Sequence, residues 1–81
     1  MTNLEKYDKA FIDAFAVSEG DLPTLKYQDI AAWDSVGHMT LMANIEDAFD
    51  IMMEVEDIMD FSSYAHGKEI LKANYEVDVE A

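Results

Sequence analysis

The sequence predicts an all-α protein, a small three- to four-helix bundle with a long loop between its first and second helices. Three observations predict it. Eighty-one residues allow one domain and no more. Apolar residues recur at helical spacing in separate stretches near both ends and in the middle of the chain. Between the first two of those stretches, residues 17–34 settle into neither a period of 2 nor one of 3.6, so a loop must join them.

The first helix is expected over about residues 3–16, where Leu4, Tyr7, Phe11, Ala14 and Phe15 share one face. Asn3 is the expected N-cap, and Glu5 and Asp8 suit the positive end of the helix dipole. Ser18-Glu19-Gly20-Asp21-Leu22-Pro23 is a cluster of turn formers that ends it. The loop that follows is long, yet Leu22, Leu25, Tyr27, Ile30 and Trp33 should pin it to the core. Long ordered loops of this kind tend to carry function.

A second helix begins near Asp34-Ser35 and runs towards Asp50, with Leu41, Met42, Ile45, Ala48 and Phe49 on a broad core face. Val36, Met39 and Ala43 fall on the opposite side, with Thr40, Glu46 and Asp47 around them. A core-facing helix needs one apolar face, so a second stripe rimmed by carboxylates points to a protein partner. From Asp50 to Phe61 the pattern reads as a connection and a short helix, with Val55, Ile58 and Phe61 inward. Ser62 and Ser63 are cap candidates for a last helix over about 64–74, whose face holds Tyr64, Leu71 and Tyr75 with Ile70 beside it. The helical domain is expected to cover residues 1–75, leaving 76–81 as a frayed acidic tail.

Composition narrows the function. Half the residues are hydrophobic, too many for a disordered acidic segment. Against 18 Asp and Glu stand only 5 Lys, for a net charge of -13. Nucleic-acid binding needs the opposite sign. The stretch between Tyr27 and Gly67 contains nine carboxylates and no Lys or Arg, a field that steers basic partners towards it. No apolar run is long enough to span a bilayer, no signal peptide is evident, and a monomer in the cytoplasm is expected. With no cysteine, the chain has neither a disulfide framework nor a thiol nucleophile.

Catalysis and metal binding find little support. Ser35 and His38 are three residues apart, but His38 is directed to the core side, near Trp33, and no third residue orients its ring. His66 reads as a helix-surface residue, and two isolated histidines make no metal site. No calcium loop of the D-x-[DN]-x-[DN]-G type is present, although six methionines occur.

Ser35 acquires a different meaning from its surroundings. The Asp34-Ser35-Val36 triplet opens an acidic helix after a long loop, and it resembles the acyl carrier protein family, whose hallmark is Asp-Ser-Leu. The resemblance continues through Leu41, Ile45, Glu46, Phe49-Asp50-Ile51 and Ser62-Ser63-Tyr64, spanning nearly the full chain. It implies that Ser35 is esterified with the 4′-phosphopantetheine arm of coenzyme A by a separate phosphopantetheinyl transferase. The thiol of that arm would carry acyl or aminoacyl groups as thioesters. The protein itself would not be an enzyme and would hold no metal. By position, the surface offered to the basic patches of partner enzymes would be Asp34, Val36, Met39, Ala43, Glu46 and Asp47.

The string Trp33-Asp34-Ser35-Val36-Gly37-His38 looks more like discrete carriers of specialised pathways, loaded by adenylate-forming ligases and served by downstream synthases or transferases. A phosphodiester on Ser35 is physically sensible, since a helix N-terminus favours an anion. Gly37 costs its helix about 1 kcal/mol relative to Ala. Its bare backbone either admits the arm or a partner, or is a tolerated blemish. The alternative to a carrier is an acidic helical interaction module that holds a basic partner and bears no prosthetic group.

Overall fold

Each longer helix begins on a side chain that answers its own unpaired amides. The computed structural model describes residues 1–80 and contains α1 (Asn3–Phe15), a 3-10 segment (Glu19–Thr24), α2 (Ser35–Phe49), α3 (Val55–Asp60) and α4 (Tyr64–Tyr75). The cap of α1 is Thr2, one residue before the expected Asn3. Thr2 Oγ1 accepts from the Glu5 amide at 3.1 Å, and the Thr2 amide donates to Glu5 Oε1 at 2.9 Å, a reciprocal pair closed to Asn3, which has Lys6 three residues on. Asp34 caps α2 and Ser63 caps α4. Three of these helices end on a left-handed residue: Ala16, Asp50 and Glu76. The all-α bundle expected from the sequence is what forms, and no strand occurs among the described residues.

Packing explains why the pieces stay together. Phe11 of α1 is fully buried and sits amid other aromatic rings, 5.0 Å from Tyr7, 5.2 Å from Tyr64 and 5.6 Å from Trp33. Leu41, Met42 and Ile45 of α2 close the core as expected, whereas Ala48 and Phe49 are half-buried. Gly67 lets α4 approach: a Cβ there would stand 2.1 Å from Phe61 Cζ and 2.3 Å from the Tyr7 hydroxyl. That hydroxyl donates to the Tyr64 carbonyl at 2.7 Å, and burial pushes its pKa up, keeping it neutral.

The long loop is pinned, as its apolar residues predict. Leu22, Leu25 and Trp33 are buried, Ile30 is half-buried, and Tyr27 stays more open. Backbone bonds tie the loop to the α3–α4 junction, with the Tyr27 amide donating to Ser62 O at 2.9 Å and the Tyr64 amide to Leu25 O at 3.0 Å.

Two further expectations need correction. Val55 does not point inward but is 69% exposed, because α3 lies on the bundle by its other side. The tail is not frayed over residues 76–80. It folds back, burying Val79 in the common core, and Asn3 Nδ2 donates to Asp78 O at 3.1 Å. Val79, the half-buried Val77 and the pairing of Glu80 with Lys68 hold it there. Ala81 lies outside the described residues.

Candidate functional site

The residues around Ser35 are set by the last turn of the loop and the first turn of α2. Asp34 Oδ1 accepts from the Gly37 amide at 2.8 Å, so the aspartate of the Asp-Ser pair is the cap that starts the helix. Ser35, the next residue, is exposed. Gly37 is required by a close approach within the chain itself. A Cβ on it would lie 1.9 Å from the Ala32 carbonyl oxygen and 3.2 Å from Phe15 Cε1. The space beside Gly37 therefore belongs to the loop, and neither an incoming arm nor a partner can use it. Tolerance of a blemish is equally inapplicable, since alanine would collide with backbone.

His38 lies near Trp33, as expected, and both of its ring nitrogens are engaged. Trp33 Nε1–H donates to His38 Nδ1 at 2.9 Å, which leaves Nε2 as the protonated nitrogen, donating to the Ile58 carbonyl at 2.7 Å. Neither nitrogen is free to take a proton from Ser35, so no Ser–His dyad exists. Among the described residues, no three His or carboxylate side chains converge on a point that could hold a metal ion.

Ser35 stands at a cleft of about 400 Å³. Met39 of α2 and Ile58 and Met59 of α3 form its apolar sides, with Phe61, Ser62, Tyr27 and His38 completing the lining. That volume lies within the range of small-molecule sites, roughly 300–1,000 Å³. The Asp34 carboxylate places one negative charge at the positive end of the α2 dipole, and no other acidic residue occupies the first turn.

The six residues expected to form a docking surface divide by role. Val36, Met39, Ala43 and Asp47 are exposed on α2, Val36 and Met39 being 74% and 56% accessible. Asp34 is exposed but spends one carboxylate oxygen on its cap. Glu46 is half-buried, and its Oε2 accepts from the Met53 amide at 2.8 Å, bracing the connection between α2 and α3. The surface also extends where the sequence reading did not place it. Met52, Val55 and Met59 are all exposed beside or on α3. Their spacing of three and four residues was the available signal, but a six-residue helix is too short to display a convincing period.

No helix among the described residues is long and apolar enough to cross a membrane. Compared with protein-family models, with curated proteins and with solved structures, the chain matches none.

Proposed function

We propose that this protein is an acyl carrier protein, in which Ser35 bears a 4′-phosphopantetheine arm that moves acyl or aminoacyl groups between partner enzymes as thioesters. The observation that carries the reading is the placement of an exposed serine at the start of a capped helix, beside an apolar cleft. The site fits the group. The α2 dipole favours a phosphodiester at Ser35, and the cleft offers an apolar surface along which an arm or its cargo can lie. When bound, the group supplies the thiol that this cysteine-free chain lacks.

The chain's own residues do the rest. Asp34 holds the first turn so that Ser35 faces outward, and Gly37 and Ala32 fix the loop against that turn. Val36, Met39 and Ala43 offer an apolar strip, and Asp47 with the surrounding carboxylates attracts basic surfaces on a phosphopantetheinyl transferase, a loading ligase and a downstream synthase or transferase. The protein is not itself an enzyme and acts as a cytoplasmic monomer, its strong negative charge opposing self-association.

The test is an intact-mass measurement after incubation with coenzyme A and a phosphopantetheinyl transferase. The wild-type chain should gain one phosphopantetheinyl group, and Ser35→Ala none. A wild-type chain that gains nothing would overturn the carrier reading in favour of an acidic interaction module. Full modification of Ser35→Ala would show that another serine is the site.

A further inference from the structure

The cleft beside Ser35 is not uniformly aliphatic. Part of its lining is a set of rings centred on His38. Tyr27 meets the imidazole edge to face at 5.4 Å and 74°, and Phe61 does so at 6.2 Å and 66°. These rings are held in place. The Tyr27 amide donates to Ser62 O at 2.9 Å, and its ring stands against Trp33 at 6.2 Å and 88°. His38 is fixed through both ring nitrogens, with Nδ1 accepting from Trp33 and Nε2 donating to Ile58 O. That arrangement makes the imidazole neutral, so no residue lining the cleft carries a charge. Met39 and Met59, both exposed, add two thioethers to the same cleft.

We propose that the cleft selects an acyl group ending in an uncharged aromatic ring over an aliphatic group of equal carbon count, with Tyr27 and His38 as the specificity-determining residues. An alkyl group gains from the cleft only the burial of its area, which any apolar wall supplies. A flat ring gains that burial together with edge-to-face contacts to Tyr27 and His38 and sulfur contacts from Met39 and Met59. A carboxylate or an ammonium would lose its hydration there and find no opposite charge. Room is sufficient, since a cavity of about 150 Å³ accepts benzene. The cleft measures about 400 Å³. That the group is delivered on an arm at Ser35 rests on the carrier reading, whereas the preference for a ring rests on the lining.

Ser35→Cys gives the full-length chain a lone cysteine at the mouth of the cleft, so a group can be placed there without any transferase. Alkylation with N-benzyl iodoacetamide or with N-cyclohexylmethyl iodoacetamide attaches groups of equal carbon count, one aromatic and one not. The cyclohexyl group is at least as apolar, so burial alone gives the benzyl form no advantage. The benzyl form should nevertheless melt about 4–8 °C above the cyclohexylmethyl form, the scale of one aromatic contact in a domain of this size. Its ring current should move the Met39 and Met59 methyl resonances upfield, and the cyclohexylmethyl form should leave them in place. Tyr27→Leu in the same background keeps an apolar side chain and the backbone bond to Ser62, and it should remove at least half of the melting difference. The methyl shifts need no Tyr27 variant, so they decide the question even where Tyr27→Leu fails to fold. Equal melting temperatures, methyl resonances unmoved by the benzyl group, or a melting difference that survives Tyr27→Leu in full would each overturn the proposal. A failure of the transferase to modify wild-type Ser35 would overturn the carrier reading and would alter none of these results.

Discussion

The indole of Trp33 and the imidazole of His38 lie nearly parallel, 15° apart, and share a hydrogen bond from the indole nitrogen to Nδ1 at 2.9 Å. The pair joins the end of the long loop to the first turn of α2, and through the other ring nitrogen it reaches α3. His38→Ala should therefore leave the buried indole N–H without a partner, at a cost of about 1–3 kcal/mol. Denaturant unfolding measures the loss, and the emission of Trp33, the one tryptophan, should shift to longer wavelength as water reaches it. Unchanged stability would mean that water replaces the imidazole without penalty.

Gly37→Ala sets two effects against each other. Alanine gains about 1 kcal/mol in helix propensity. The Ala32 carbonyl oxygen, 1.9 Å from the new methyl, is backbone and can yield only by moving the loop. Overpacking of this kind typically costs about 1–3 kcal/mol, so the variant should melt below the wild type. It should also slow modification of Ser35, because the displaced loop carries Asp34. A raised melting temperature would show that propensity wins.

Met39 and Leu41 are two residues apart on α2 and differ in surroundings. Met39 is 56% exposed and Leu41 is fully buried. Met39→Ala should change stability by under about 1 kcal/mol, against about 2–5 kcal/mol for Leu41→Ala. On the proposed function, Met39→Ala also lowers kcat/KM of the transferase while keeping its melting temperature. Thermal melts paired with modification kinetics decide both points. Equal destabilisation of the two variants would remove Met39 from the docking face.

His66 should give the fold a pH dependence. Its pKa is raised, chiefly by the hydrogen bond to Asp60 at 3.0 Å, with partial burial opposing and Glu69 adding to the shift. A raised folded-state pKa means that the stabilisation is fully present below the ordinary value of 6.5 and is lost as pH rises through the folded value. The melting temperature should fall across that interval, and His66→Gln should flatten the fall. A wild-type profile as flat as that of the variant would show that the Asp60 contact contributes nothing.

The Glu46–Met53 bond shows where local reading stops. At the sequence level Glu46 is one more carboxylate on the acidic rim of α2. Its second role depends on the chain reversing at Asp50 so that the Met53 amide returns to it. The same holds for Gly37, whose constraint comes from a carbonyl five residues back, and for Val79, whose burial depends on where α1 and α4 leave a gap. None of these contacts has a periodic signature.

By itself the sequence determined the helical class, the long pinned loop, the core face of α2 at Leu41, Met42 and Ile45, and the start of α2 near Asp34-Ser35. These follow from short-range physics: the 3.6-residue period sorts side chains onto faces, and capping residues act within one turn. The tertiary structure alone decided the cleft beside Ser35, the exposed side of α3, the engagement of both His38 nitrogens and the docking of the tail. Each requires segments far apart in the chain to meet, and their meeting is set by the packing of aromatic rings around Phe11 and not by the local pattern of any one helix.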